Sequence, residues 1–268
     1  MPRPTPPPPP SFGAPTPRSR SGAPARWAIV IAFLLALLMA AGLLAGPMAS
    51  ASAAPVSSAN ARWLADSYVR FLGRTADDGG LDHQLSLITA GGSERRQEVA
   101  HAILSSPEGS RVAVRRAYTT LLGRSADAAG EDYWTQHLTG HGILDLRVLL
   151  MASDEYLLRA GGTHDAWLDA VYQELLGRAP DGPGRTYWLG LIAAGVPRAA
   201  LVGAMHQSDE ALGRRADHHY QDLLGRAPTT AERAAAVAVL HSAGERRLQA
   251  LVWSSDEAFE PFLDLAWS

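Results

Sequence analysis

Four near-copies of one short segment constrain the fold of this chain more than any other feature. In each copy a Gly-Arg pair has Tyr five residues before its glycine and an aliphatic residue fifteen residues after it. An acidic marker then follows each copy and reads SSPE, ASDE, QSDE and SSDE in turn. Self-similarity at a regular spacing predicts a repeat architecture. The glycines that define copies one to four are Gly73, Gly123, Gly177 and Gly225.

The order of residues within each copy predicts where helices end and begin. The Tyr and the apolar residues before the glycine have helical spacing, and the glycine can adopt a positive φ and close that helix. Asp127 or Asp181 can cap the next helix, which Gly91 or Gly195 ends. The Ser of the acidic marker can cap a further helix whose first turn carries Asp and Glu. Since alternating β-branched runs are absent, the sequence predicts an all-α fold of four tandem helical repeats, about 50 residues and three to four helices each.

One pair of glycines divides the body of the chain. The glycines at 161–162 interrupt the helix that follows the second acidic marker, and Thr163 or Asp165 can restart it. We therefore expect two lobes, with repeats one and two in residues 60–160 and repeats three and four in residues 163–268.

The first 59 residues resemble a targeting segment. Residues 1–26 are rich in Pro, Ser and Gly with scattered Arg, and we expect them to be disordered. Residues 27–46 carry no charge, and residues 47–59 hold A-x-A patterns, so together they predict an export signal with its cleavage region or linker. The apolar run also matches the roughly 20 residues that span a bilayer, so an uncleaved membrane anchor is the alternative and a buried soluble helix the third. The first two interpretations place the body outside the cytoplasm, secreted or anchored.

The charge of the body argues against one class of partner. The chain has 24 basic and 27 acidic residues, and without the four arginines of the leader its net charge changes from −3 to −7. Binding of phosphate backbones needs a basic face, so we expect no nucleic-acid partner. The chain has no cysteine, which excludes disulfides and thiolate chemistry.

The repeated segment resembles a known family. The pattern Y-x-x-L-L-G-R-x-x-D-x-x-G-x-x-Y-W, followed by an apolar helix and S-D-E-Y, is similar to a domain of unknown function in bacterial exported proteins, related to phycobilisome linker domains. The resemblance covers roughly residues 62 to 260 and is strongest in copies two and three, whereas copy four lacks the Asp, the second Gly and the Tyr-Trp pair. It implies helical modules of cell-surface and secreted proteins that hold other proteins together, and it brings no catalytic residue and no cofactor.

Two sets of residues are candidates for binding a partner. The arginine after each glycine could bridge to a carboxylate of a capping segment or stack on an aromatic ring, or the four could form a row that binds an anionic partner. The Tyr-Trp pairs of copies two and three could fill the core or a seam between repeats. Structural roles are the simpler interpretation of both sets. The candidates are Arg74, Arg124, Arg178, Arg226, Tyr133, Trp134, Tyr187 and Trp188.

We expect no catalytic site, no metal site and no cofactor. The chain has no Gly-rich phosphate loop, no H-E-x-x-H and no G-x-S-x-G. His137 and His141 have the spacing of two ligands, but neighbouring glycines mark a helix end, and a solvated face is expected for the adjacent residues 218–219. The acidic turns could hold calcium, and the acidic pairs at 77–78 and 154–155 could serve a glycan hydrolase, although both fit helix caps.

These features together predict a non-enzymatic, extracytoplasmic scaffold or interaction module of the bacterial cell surface. Its partner would be a protein or a cell-envelope glycan, and residues 27–46 would provide the membrane contact. The alternatives are an envelope glycan-active enzyme and a calcium-dependent protein resembling those of surface layers.

Overall fold

A computed structural model describes residues 53–140 and 143–264 of the chain. Every element of regular structure in these ranges is helical, which confirms the all-α prediction. The predicted tail (1–26) and apolar segment (27–46) lie outside the described residues. Among the helices described, none is long and apolar enough to cross a membrane.

The elements are α1 (Ala53–Leu72), α2 (Asp78–Ser105), α3 (Pro107–Ala117), a π-helical segment (Tyr118–Leu122), α4 (Ala128–Gly140), α5 (Ile143–Ala152), α6 (Asp154–Arg159), α7 (His164–Leu176), α8 (Gly182–Ala193), α9 (Arg198–His206), α10 (Asp209–Leu224), α11 (Thr230–Ala243), α12 (Glu245–Trp253) and α13 (Asp256–Asp264).

The helix ends follow the predicted pattern. The four repeated glycines have φ between 68° and 71°, and each directly follows a helical segment. Ser106, Ser153 and Ser208 cap α3, α6 and α10, because each hydroxyl accepts a hydrogen bond from the backbone N–H three residues later. Thr163 caps α7 in the same way after α6 has ended. These predictions are confirmed because capping depends on backbone chemistry within a single turn.

Two local features differ from the prediction. The break inside α2 falls at Gly92, which has φ 60° and ψ −142°, and not at Gly91. A β-carbon at Gly91 would collide with the side chain of Arg95, so this glycine allows close packing of the following turn. The segment between α3 and Gly123 is a wider π-helical turn, whereas α7 runs as a regular α-helix to Gly177.

The buried apolar side chains form two clusters. The inner cluster comes from residues 114–205, and the terminal cluster combines residues 59–103 with residues 212–259. The first and last copies of the segment therefore share one core. This grouping does not follow the predicted division at 160–163, because the inner cluster runs across it. Contact between the first and last copies of the sequence segment covers apolar faces that would otherwise be exposed to water.

A tryptophan joins two copies in each cluster by the same contact. In the inner cluster the indole N–H of Trp167 donates to the carbonyl of Met151 at 2.7 Å. In the terminal cluster the indole N–H of Trp63 donates to the carbonyl of Trp253 at 3.1 Å. Both donors stand ten residues before a repeated glycine, and both acceptors stand two residues before the serine that caps the following helix. Copies four and one therefore meet as copies two and three do.

We call the contact of copies two and three the inner junction and the contact of copies four and one the terminal junction. An arginine supports each of them. Arg198 donates to the carboxylate of Asp154, and its Nε donates to the carbonyl of Ala152 at 2.8 Å. Arg96 lies 3.3 Å from the carboxylate of Asp256 in the terminal cluster. Each arginine stands ten residues before a capping serine, and each aspartate directly follows one. The repeated contacts mean that the two junctions are built from the same sequence positions.

Candidate functional site

The four candidate arginines are held in matching sets of contacts. Each guanidinium forms a two-point ion pair with the Glu of its own acidic marker, with N···O distances of 2.5–2.8 Å. Nη1 donates to the carbonyl of the next residue, and the guanidinium carbon lies 5.3–5.6 Å from the centre of the Tyr ring of the same copy. The pairs are Arg74–Glu108, Arg124–Glu155, Arg178–Glu210 and Arg226–Glu257.

These ion pairs fix the loop after each glycine to the start of a later helix. Hydrogen bonds from arginine lower the pKa of all four glutamates, so the carboxylates stay charged well below neutral pH. The pairs are largely open to solvent, where a salt bridge contributes little to stability, and their role in the fold is to set geometry. An anionic partner would have to compete with these glutamates, and binding by the arginines stays a prediction.

The Tyr-Trp pairs are divided between surface and core. Tyr133 and Tyr187 are 61% and 38% exposed, whereas Trp134 and Trp188 pack against the inner cluster. The indole N–H of Trp188 donates to the hydroxyl of Tyr172 at 2.8 Å. In each pair the two rings meet edge to face, with centroids 5.2 Å and 5.0 Å apart. The expectation that whole pairs fill the core or a seam is wrong for the tyrosines, because neighbouring helical positions point in different directions.

The acidic pair considered for hydrolysis is engaged by arginines. Asp154 accepts a hydrogen bond from Arg198, and Glu155 accepts two from Arg124. Asp77, from the other acidic pair, lies 3.8 Å from the arginine that follows the first repeated glycine. Hydrolysis of a glycosidic bond needs two carboxyl groups that flank the substrate in one cleft. Here each of these carboxylates instead faces a cation at a helix end.

The acidic turn of copy two also takes part in the fold. Asp127 caps α4 by accepting a hydrogen bond from the backbone N–H three residues later at 2.8 Å, and this bond lowers the pKa of its carboxyl. Glu131 is paired with Arg115 at 2.9 Å, and Asp132 with Arg111 at 3.0 Å. Over the described part of the chain, no group of three or more acidic or histidine side chains is placed to hold a metal ion.

The histidines depart from the sequence interpretation at one position. His141 lies outside the described residues, so the expectation about its spacing from His137 stays a prediction. His218 is exposed, but His219 is only 4% exposed and its Nε2 lies 3.0 Å from the carboxylate of Glu245. The expectation of a solvated face is wrong for His219, because consecutive positions of α10 point about 100° apart and His219 faces α12.

Sequence reasoning missed a polar cavity at this place. Its lining includes Arg147, His206, Arg215, His219 and Glu245, which come from four different helices. Histidine and arginine are common on helix surfaces, so their presence alone gives no signal. A comparison of the four copies position by position points to two of them, since His206 stands where the other copies carry Leu104, Met151 and Trp253, and Arg215 where two copies carry tryptophan.

The DUF4214 family, a domain of unknown function, provides one comparison. Its model matches residues 147–215. Neither a curated protein nor a solved structure matches the chain. The DUF4214 match runs from α5 into α10 and thus contains the whole inner junction, including the contacts of Trp167 and Arg198. The matching junction of the terminal cluster joins residues 190 positions apart, so no continuous segment of this length contains it.

Proposed function

We propose that the chain is a non-enzymatic interaction module of the bacterial cell surface, built from four tandem helical repeats. The observation that carries this proposal is the exposure of Tyr133 and Tyr187 at matching positions of two copies, beside tryptophans anchored in the core. The other repeated polar residues are engaged within the fold. The export pattern of residues 1–59 supports an extracytoplasmic location, either secreted or anchored through residues 27–46.

The repeat architecture is supported by the recurrence of whole contact sets. The Arg–Glu–Tyr arrangement occurs once in each copy, with closely similar distances. The DUF4214 match covers residues 147–215, a length that fits one unit of such an array with its neighbouring helix. Stacked helical repeats present extended surfaces that suit protein or glycan partners, and a relation to phycobilisome linker domains would fit a role in holding proteins together.

The two exposed tyrosines are the residues we assign to partner contact. A tyrosine ring loses little side-chain entropy on binding and offers both an apolar face and a hydroxyl, so the residue is enriched at interfaces. Each ring is fixed edge-on by the neighbouring tryptophan, and Tyr133 also stacks on His137 with the ring planes 10° apart. Two such rings in two copies provide two points of contact for an extended partner.

Co-sedimentation with cell envelopes tests this assignment. The purified full chain is mixed with the insoluble envelope of the producing bacterium and, separately, with its purified cell-wall glycan. We expect one of these to retain the chain, and the Tyr133→Ala/Tyr187→Ala double variant to bind at least about 30-fold more weakly, since each interface aromatic contributes about 1–2 kcal/mol or more. Leu87→Ala, which removes another exposed apolar side chain, is the matched control.

Four outcomes would argue against the proposal. Equal retention of the double variant and the wild type would show that the tyrosines do not contact the partner. If neither material retains the chain, the cell envelope is not its partner. Release of soluble sugar, abolished by a single carboxylate-to-amide change, would favour the glycan-active enzyme. Retention that disappears in a calcium chelator would favour the calcium-dependent alternative.

A further inference from the structure

A cavity of about 750 Å³ lies where helices of the two clusters meet. This volume falls within the roughly 300–1,000 Å³ of small-molecule sites. Most of its charged and histidine side chains come from α5, α7, α9, α10 and α12, and of these His206 and His219 are fully buried. Most of its apolar lining comes from the first part of the chain instead, so a ligand with one apolar end and one polar end would match the wall. The apolar residues from α1 to α3 are Phe71, Leu104, Val112, Ala113 and Ala117.

Five nitrogen atoms of residues that line this cavity are buried and have no hydrogen-bond partner in the protein. They are Nε of Arg147, Nε and Nη1 of Arg215, and both ring nitrogens of His206. His206 is only 1% exposed, and burial together with the charges of Arg215 and Arg147 lowers its pKa to about 3. The ring is therefore neutral at pH 7 and offers one donor. Buried donors without acceptors cost free energy, so this wall favours a molecule that brings acceptors.

Two half-buried arginines of the cavity have only neutral hydrogen-bond acceptors, and the charge of Glu245 acts on both from beyond ion-pair distance. Arg215 donates to the carbonyl of His206 at 3.0 Å, and Arg246 donates to the carbonyl of Leu138 and the hydroxyl of Ser110 at 3.1 Å and 3.0 Å. Neither arginine takes part in any of the ion pairs found among the described side chains. Burial lowers the pKa of both guanidinium groups, which means that their charge is poorly solvated. An anion would relieve this cost.

The helical framework does not require His206 to be polar. His206 stands two residues before a capping serine, where the other three copies carry Leu104, Met151 and Trp253. Two of these three side chains are fully or almost fully buried, and the third is partly buried. The same framework therefore forms with an apolar residue at this position, so the imidazole has a use beyond packing.

The framework does not require the charge of Arg215 either. Arg215 stands ten residues before a repeated glycine, where copies one and three carry Trp63 and Trp167. Its Nη2 makes the contact that those indoles make, to the carbonyl two residues before a capping serine. A tryptophan makes this contact with its single N–H. Arginine adds a positive charge and further donors. Arg215 lines the cavity, and its Nε and Nη1 are buried without a hydrogen-bond partner.

We propose that this cavity binds a small organic acid with an apolar body, a carboxylate or a phosphate ester. Arg215, Arg147 and His206 supply the donors for its acidic oxygens, and the apolar residues of α1 to α3 receive its body. The lining also contains carboxylates whose negative charge opposes an anion, namely Glu174, Asp217, Asp222 and Glu245. Glu174 is paired with Arg147, and the charges of Arg147 and Arg215 act on Glu245. The proposal does not depend on the partner contact assigned to the exposed tyrosines.

Titration calorimetry at pH 7 with the purified full chain tests the proposal. The probes are octanoate, n-octyl phosphate, inorganic phosphate and 1-octanol, each below its micellar concentration. We expect at least one of the two acids to bind, and the alcohol not to bind. Arg215→Gln should weaken binding roughly 10- to 100-fold, as expected for loss of a charge-assisted contact. Arg95→Gln, which removes an exposed arginine of α2 outside the lining, should leave the affinity unchanged.

Two further variants separate binding from folding. Glu245→Gln removes one opposing charge, so it should tighten binding, a result that structural damage would not produce. His206→Met places the residue of copy two at the equivalent position, so it should fold and yet bind more weakly, even if Arg215→Gln proves unstable in a thermal melt. The better of the two acids identifies the headgroup.

Four results would overturn the proposal. They are the absence of binding by both acids at millimolar concentration, equal binding by octanol, unchanged affinity in Arg215→Gln or His206→Met, and weaker binding in Glu245→Gln. If inorganic phosphate binds as tightly as octyl phosphate, the proposal that the ligand has an apolar body is wrong.

Discussion

Replacing Trp167 by Phe tests whether the inner junction governs the stability of the chain. The indole is completely buried, and its N–H donates to the carbonyl of Met151 at 2.7 Å. Phenylalanine removes this hydrogen bond, which contributes about 1 kcal/mol net. It also removes roughly three heavy atoms from the core, which costs about 2 kcal/mol at about 0.8 kcal/mol per buried methylene. We therefore expect the free energy of unfolding to fall by about 3 kcal/mol.

Urea and thermal unfolding followed by circular dichroism measure this change. A loss of about 3 kcal/mol corresponds to a decrease in Tm of roughly 6–12 °C for a unit of this size. Trp188→Phe is the matched control, because its indole donates to the hydroxyl of Tyr172 at 2.8 Å but is only partly buried, so it should cost about 1 kcal/mol. Trp63→Phe breaks the equivalent contact of the terminal cluster and should cost as much as Trp167→Phe, within about 1 kcal/mol.

Two results would refute this reasoning. A loss in Trp167→Phe no greater than in Trp188→Phe would show that the buried indole contact is not what stabilises the inner junction. A Trp63→Phe protein as stable as the wild type would show that the contact between copies one and four does not stabilise the terminal cluster.

Three other perturbations test the local geometry and the cavity. Gly177→Ala should lower the unfolding free energy by about 1–2 kcal/mol, because φ is 68°, whereas Gly203→Ala, inside α9 with open space around it, should raise it by up to about 1 kcal/mol; equal urea midpoints would contradict this. The pKa of His206 lies at about 3 in the folded state, below its ordinary 6.5, so the unfolded state binds the proton first and stability is lost as pH falls from 6.5 towards 3. His206→Met should remove about 2–3 kcal/mol of that loss by pH 4.5, measured from urea unfolding at a series of pH values. If the unfolding free energies of the variant and the wild type fall equally between pH 6.5 and pH 4.5, the ring of His206 is not buried in its neutral form. Ser208→Ala should destabilise the start of α10 by about 1 kcal/mol, seen as faster amide exchange in its first turn, and unchanged exchange would exclude capping by the hydroxyl.

The candidate site was accessible from the sequence only in part. The sequence indicates that each repeated arginine could meet a carboxylate of a capping segment or an aromatic ring, and the structure places both beside it, as in Arg178 with Glu210 and Tyr172. It does not indicate which residue of a Tyr-Trp pair faces outward, because that depends on how α4 and α8 are rotated against the inner cluster. The cavity around His206 escapes sequence reasoning altogether, since helices far apart in the chain build it.

The sequence by itself determined that the chain is helical and where many of its helices end, since a glycine with positive φ or a capping serine acts within one turn of its own backbone. Only the tertiary structure decided which copies share a core. Trp63 and Trp253 meet across 190 residues, and the apolar stripe of each copy can pack on any neighbour of similar shape. Burial of the remaining apolar faces favours the arrangement in which copies one and four pack together. The polar cavity then forms where the two clusters meet, because Arg215 and His206 take the places that Trp and Met occupy in the inner junction.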